Sequence, residues 1–151
     1  MNTKLLFCLS IIISIFGVLY VTCNPFGRKQ AVAAEGYLMC NGKPATDAKI
    51  KLYDADTFTK DDKMAETRTD SRGYFKLSGY SSEITRIDPK LNIYHKCTKS
   101  INPMKKICYQ KFSIKIPKSY ITTGTQAAKT YNAGQLELSG KFPGQTTDCL
   151  N

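Results

Sequence analysis

The chain of 151 residues has no tryptophan, a single histidine and no Asn-x-Ser/Thr sequon. One imidazole, His95, excludes every metal site or catalytic scheme that needs two. Without a sequon, no N-glycan is expected to cover any surface. Acidic residues are scarce as well: 12 Asp and Glu stand against 22 Lys and Arg, a formal charge of +10. No two cysteines have the C-x-x-C spacing, which argues against a tetrathiolate zinc site. What the chain does have is 9 Tyr and 7 Phe, enough aromatic side chains for a core and too many for disorder over most of the length. The length suits one ordinary domain.

Lys4 is the only charge in the first 27 residues, and it is followed by 17 uncharged, mostly apolar residues from Leu5 to Val21. This reads as the apolar region of a secretory signal peptide. Val21 and Cys23 are small enough to sit three residues and one residue before a signal-peptidase cut. Residues 1–23 are therefore assigned to the signal, 24–31 to a short lead and 32–151 to the folded domain. The run is somewhat long, so an uncleaved signal anchor is a competing reading. A bacterial-type lipobox at Cys23 is another, for which Thr22 is a poor residue.

Cleavage removes Cys8 and Cys23 and leaves Cys40, Cys97, Cys108 and Cys149, four cysteines for two disulfides in a secreted domain. Of the three connectivities, Cys97–Cys108 with Cys40–Cys149 is favoured. The first would close a local hairpin, and the second would tie the first strand to the C-terminus.

Apolar residues alternate with period two, and turn signals arrive every eight to twelve residues, an all-β rhythm. Val32, Ala34, Leu38 and Cys40 share one face of a first strand. Ala48, Ile50 and Leu52 alternate with Lys49, Lys51 and Tyr53 in a second. Thr69-Asp70-Ser71-Arg72-Gly73 reads as a turn before a strand with Phe75 and Leu77 inward. Leu91, Ile93, His95 and Cys97 share one parity, and Cys108, Phe112, Ile114 and Ile116 another. Both cysteines fall on the inward side of neighbouring strands, which supports pairing them. A last strand places Leu136 and Leu138 inward after an Asn132-Ala133-Gly134 turn. Seven or eight short strands make a two-sheet β-sandwich the most economical fold.

Several linked blocks then resemble the nematode transthyretin-like family. They are Gly36-Tyr37-Leu38-Met39-Cys40-Asn41-Gly42-Lys43-Pro44-Ala45, Ile50-Lys51-Leu52-Tyr53-Asp54, Thr69-Asp70-Ser71-Arg72-Gly73-Tyr74-Phe75, Ile87 through Cys97 with its Tyr94-His95-Lys96-Cys97 segment, and the ending Thr147-Asp148-Cys149. The resemblance spans nearly all of residues 32–149. It implies a secreted protein with a transthyretin-type β-sandwich and two disulfides, acting as an extracellular binding or signalling protein. The same fold houses 5-hydroxyisourate hydrolase, an enzyme with two histidines, an arginine and a Tyr-Arg-Gly-Ser ending. This chain has one histidine and ends Asp148-Cys149-Leu150-Asn151, so no enzyme is expected. His95 shares the inward parity of Leu91 and Ile93 and is read as a hydrogen-bonded core histidine. Thyroid-hormone carriage is not implied, because it depends on a tetrameric channel with no identifiable lining here.

Charge is unevenly spread. From Arg86 to Lys118 there are nine basic residues and one acid, whereas Asp47 to Asp70 carries seven acids and five bases. The expected binding region is thus a basic hairpin with Lys96, Lys99, Lys105, Lys106, Lys111 and Lys115. Ile101, Pro103, Met104 and Ile107 in the same loop are candidates for shallow insertion beside the charges. Anionic lipid headgroups, sulfated glycans or a protein partner are the expected targets, at about 1 kcal/mol per basic residue near an anionic membrane. The competing reading makes these lysines a solvated face that guards strand edges. Only Tyr94 and Tyr109 are interleaved with them, so nucleic acid is not an expected partner. The acidic loop from Asp54 fails the EF-hand pattern, with Phe58, Thr59 and Ala65 at the fifth, sixth and twelfth places. No metal or cofactor is expected. The alternative function is carriage of a small hydrophobic ligand in a cleft between sheets or protomers.

Overall fold

A computed structural model of the chain describes residues 27–55, 61–97 and 107–150, with a short antiparallel pair formed by β1 (Ile13–Ser14) and β2 (Gly17–Val18). The signal assignment to 1–23 lies outside the described residues apart from that pair, and so do Lys99, Lys105 and Lys106.

The first large sheet is organised around β3 (Arg28–Cys40). Alternation turns Val32, Ala34 and Leu38 inward, and all three are fully buried. β7 (Tyr74–Glu83) runs antiparallel along one edge of β3, from Arg28↔Glu83 to Tyr37↔Tyr74. The turn before β7 is held by Asp70, whose Oδ1 accepts the N–H groups of Arg72 (2.8 Å) and Tyr74 (2.9 Å). Gly73 closes this turn with φ of 74°, and a Cβ there would lie 2.3 Å from the Leu38 carbonyl oxygen. Conformation and space both demand glycine. The other partners of β3 are β4 (Lys43–Pro44), β10 (Thr122–Thr123) and β11 (Thr130–Glu137), the last running parallel to it.

The second large sheet has the order β12 (Thr146–Asp148), β9 (Tyr109–Lys115), β8 (Pro89–His95), β5 (Lys49–Asp54), β6 (Asp62–Arg68), with every pair antiparallel. Its inward residues Ile50, Leu52, Leu91, Ile93, Phe112 and Ile116 meet Val32, Ala34, Leu38, Phe75 and Leu77 of the first sheet in one core. Each large apolar side chain in that layer contributes roughly 1.5–3 kcal/mol by leaving water. Phe142 covers one margin, stacked on Phe112 with ring centroids 3.8 Å apart. Where β6 passes over β7, a Cβ on Gly79 would lie 2.5 Å from the Met64 carbonyl oxygen, so glycine allows the two strands to approach. Eight strands between residues 28 and 148 run three residues or more, and the all-β two-sheet sandwich expected from the alternation is present.

Two expectations are corrected. The Asn132-Ala133-Gly134 segment is a bulge inside β11, not a turn before it. Between Asn132↔Glu35 and Gln135↔Tyr37, β11 has one residue more than β3. Gly134 (φ 72°) donates its N–H to Asn132 Oδ1 at 2.7 Å. Left-handed glycine after an Asx residue serves a turn and a bulge equally, and only the strand partner distinguishes them.

The disulfides are Cys40–Cys97 and Cys108–Cys149, not the expected Cys97–Cys108 and Cys40–Cys149. Shared inward parity leaves two kinds of partner open, one on the neighbour strand and one across the core, and each of these cysteines took a partner other than the one expected. Cys40 at the end of β3 and Cys97 just beyond β8 therefore meet across the sandwich, with Cα atoms 5.8 Å apart. Cys149 follows β12, whose register Thr146↔Lys111, Thr147↔Gln110, Asp148↔Tyr109 brings it beside Cys108. The connection between β8 and β9 is thus anchored at each end to a different element.

Candidate functional site

The outward residues of β5, β8 and β9 follow from the same alternation that fills the core. On β5 they are Lys49, Lys51 and Tyr53; on β8, Lys90, Asn92 and Tyr94; on β9, Tyr109, Lys111, Ser113 and Lys115. Register sets them in rows: Lys49 pairs with Arg68 on β6 and with Tyr94 on β8, and Tyr94 pairs with Lys111 on β9. The outer face of the five-stranded sheet is therefore a platform of lysines interleaved with tyrosines.

The tyrosines hold the lysines apart. Lys51 and Lys111 lie over the Tyr94 ring at 5.1 and 5.7 Å, and Lys96 and Lys49 lie over the Tyr109 ring at 4.9 and 5.4 Å. The two rings meet edge to face with centroids 6.5 Å apart. Each cation–π contact is worth about 0.5–1 kcal/mol at an exposed site, which offsets repulsion among the ammonium groups. Lysine stems bury Tyr94, and that burial, with the neighbouring Tyr53, pushes its pKa up to about 12, so the phenol stays protonated. Burial also lowers the Lys51 pKa, opposed by the nearby Glu66 carboxylate.

Acids on the face are engaged locally: Glu66 with Lys63 at 3.2 Å, and Asp61 with Lys90 at 2.5 Å. Lys51 is buried within the face, with Glu66 and Asp148 nearby, and the lysines that reach solvent are Lys49, Lys96, Lys111 and Lys115. At the margin of the face a cleft of about 580 Å³ is lined by Asp88, Lys90, Lys115, Pro117 and Lys118. There Lys118 pairs with Asp88 at 2.8 Å, while Lys115 has no ion pair among the described residues.

Of the six lysines expected to form a basic hairpin, Lys96, Lys111 and Lys115 border or stand on this face, and Lys99, Lys105 and Lys106 lie outside the described residues. The proposed closure of that hairpin by Cys97–Cys108 is replaced by the two bridges above. Reading by segment missed Lys49 and Lys51, and it counted Lys90 in the basic stretch without placing it in the binding set. The stretch from Asp47 to Asp70 sums to a net negative charge, yet Asp54 turns inward to accept the Asp88 N–H at 2.8 Å, and Asp70 serves its turn. Outward parity of Lys49 and Lys51 was the signal; the charge sum concealed it.

His95 is 1% exposed, as its parity indicated. No hydrogen bond of good geometry reaches either ring nitrogen among the described residues, and the Cys97 backbone is the polar group that acts on the ring. Burial pushes its pKa down to about 4, against a smaller opposing pull from the Cys97 backbone. Its ring stands edge-on to Phe112 at 5.9 Å. Among the described residues no three His, Cys, Asp or Glu side chains are grouped to hold a metal.

With fold and surface in view, the relatives agree. A family model described as TTR-52, transthyretin-like family, matches residues 35–117. The chain belongs to the transthyretin-like family. Transthyretin-like protein 5 of Caenorhabditis elegans is 48% identical over 126 residues, covering 83% of this chain and 88% of that protein. Transthyretin-like protein 2 of the same organism is 46% identical, covering 83% and 86%. Transthyretin-like protein 33 is 41% identical, covering 81% and 83%. Both disulfide bridges of this transthyretin-like chain, which require an oxidising compartment, accord with an extracellular protein.

Proposed function

We propose that this transthyretin-like chain is a secreted, non-enzymatic binding protein that engages an anionic cell surface through the lysine–tyrosine face of its five-stranded sheet. The observation that carries the reading is the convergence of Lys49, Lys51, Lys96 and Lys111 on the Tyr94 and Tyr109 rings. An array of ammonium groups spread over one sheet face suits a surface of many phosphates better than one small substrate. Lys99, Lys105 and Lys106, in the connection between β8 and β9, extend the same charge in sequence. The reading without catalysis is supported by the burial of His95, the chain's one imidazole, at 1% exposure.

Co-sedimentation of the oxidised protein with neutral vesicles and with vesicles containing phosphatidylserine, at roughly 0.15 M and 0.5 M salt, tests this. Binding to the anionic vesicles alone, lost at the higher salt, is the expected result. Equal recovery with both vesicle types, or none with either, refutes the membrane-surface reading and redirects the search to a protein partner.

A further inference from the structure

At the end of the sheet where β8 begins and β9 stops, register sets Lys90 directly opposite Lys115 on the outer side. Like charges in opposed positions destabilise a strand pair unless something neutralises them. Asp61 compensates Lys90, whose side chain is 22% exposed. Lys115 is exposed and has no ion pair among the described residues. Both lysines line the cleft of about 580 Å³ together with Asp88 and Lys118, and Ala55 and Pro117 give it an apolar wall.

Charge at this margin does not balance. Four basic groups stand there: Lys90, Lys115, Lys118 and Arg86, whose guanidinium donates to the Lys118 carbonyl at 3.0 Å. Two acids oppose them, Asp61 on Lys90 and Asp88 on Lys118, and four bases less two acids leave +2. The side chains of Lys118 and Asp88 are 52% and 56% exposed, so that pair is weak and gives way to a better acceptor. Lys90 need not give up Asp61, because an ammonium group has three donors.

We propose that this cleft binds a small phosphate monoester, its terminal oxygens shared by Lys90, Lys115 and Lys118 and its organic body against Ala55 and Pro117. Directly opposed strand residues have Cβ atoms about 4.5–5.5 Å apart, a gap that lysine stems outreach, so two ammonium groups close on one phosphate. A monoester carries about 1.5 to 2 negative charges at neutral pH on three terminal oxygens, which matches both the surplus charge and the three lysines. A carboxylate, with one charge and two oxygens, matches neither. The site goes beyond the surface reading and stands without it, because Lys49, Lys51, Lys96 and Lys111 line no part of the cleft.

Amide NMR of the oxidised protein in roughly 0.1 M sodium chloride tests the site, with glycerol 3-phosphate as the probe. The signals of Lys90, Lys115 and Lys118 should shift saturably, with half-saturation at or below about 1 mM, while those of Lys49 and Lys111 stay in place. Glycerophosphocholine, a diester with one negative charge on its phosphate, should bind at least about fivefold more weakly. Lys115→Ala should weaken glycerol 3-phosphate at least about tenfold, with the fold verified from amide dispersion. Asp88→Asn, which frees Lys118 and keeps the backbone bonds of residue 88, should tighten it about threefold. No saturation by about 10 mM, equal response to glycerophosphocholine, or the same shifts from sodium chloride at matched ionic strength would overturn the site.

Phosphatidic acid presents the same monoester on a lipid. Stronger retention on its vesicles than on phosphatidylserine vesicles, with the excess lost in Lys115→Ala, assigns the site to a headgroup; response to the free ester without that excess assigns it to a soluble ligand. Loss of the phosphate response would leave phosphatidylserine binding by the lysine–tyrosine face untouched. Lys49→Glu with Lys111→Glu would abolish that binding and leave the glycerol 3-phosphate response in place.

Discussion

Glu137, at the end of β11, accepts the backbone N–H of Asn41 at 2.9 Å and, through its other oxygen, that of Gly42 at 2.9 Å. One carboxylate thus latches the tight turn between β3 and β4, where Asn41 has φ of 53° and Gly42 of 73°, onto the neighbouring parallel strand. The backbone N–H groups of Gly42, Ser139 and Asn41 hold its pKa down to about 2.

Glu137→Gln should therefore lower the melting temperature at neutral pH, because the amide is a weaker acceptor and presents one oxygen where the turn uses two. The group's folded pKa is depressed, so its contribution is present above the ordinary value of 4.5 and is lost as pH falls toward 2. The gap between parent and variant should close over that window in a thermal melt series. A constant gap would mean that the ionised form has no special part.

His95 gives a second pH dependence in a higher window. Its pKa falls from 6.5 to about 4 on folding, so the unfolded chain binds the proton first as pH drops. Stability should decline from about pH 6.5 and level off below about pH 4, by roughly 3 kcal/mol in total for this group. Denaturant unfolding of the parent and of His95→Leu isolates it: the variant should be flatter across this range. Parallel pH profiles would show that the ring is not desolvated in solution.

Each disulfide closes a long loop, with sequence separations of 57 and 41 residues, worth about 4 kcal/mol apiece on the chain-entropy model. A peptide map without reductant should join Cys40 to Cys97 and Cys108 to Cys149. Replacing Cys108 and Cys149 together by Ser should release β12 and leave the rest protected from hydrogen exchange. Replacing Cys40 and Cys97 should lower protection in both sheets.

Gly79→Ala places a methyl against the Met64 carbonyl at a distance real contacts do not reach. The backbones of β6 and β7 must separate, at a cost of about 1–3 kcal/mol. The change should appear as a lower denaturation midpoint at unchanged slope.

Lys49→Glu with Lys111→Glu should remove attraction to anionic vesicles while shifting stability by no more than about 0.5 kcal/mol, since both lysines stand on the outer face. Retained vesicle binding in a variant that melts like the parent would move the contact to another surface.

Alternation alone was enough to assign the faces of β3, β5, β7, β8 and β9, because a strand with one dry side must repeat with period two, and Val32, Ile50, Phe75, Leu91 and Phe112 all obey it. The burial of His95 was legible for the same reason, whereas the four bonded cysteines were legible as those remaining after the apolar N-terminal segment. Connectivity was not: parity states which side of a sheet a residue occupies and says nothing about which residue waits opposite, so Cys40 and Cys97 were assigned to other partners. The lysine–tyrosine face escaped for a related cause. Charge summed along the chain weights Asp54 and Lys51 alike, whereas folding turns one inward to the Asp88 N–H and the other outward onto Tyr94. Local chemistry dictates strand, turn and face, because those depend on neighbours in sequence; the lysine–tyrosine platform and the cleft between Lys90 and Lys115 exist only once register and sheet packing bring distant strands side by side.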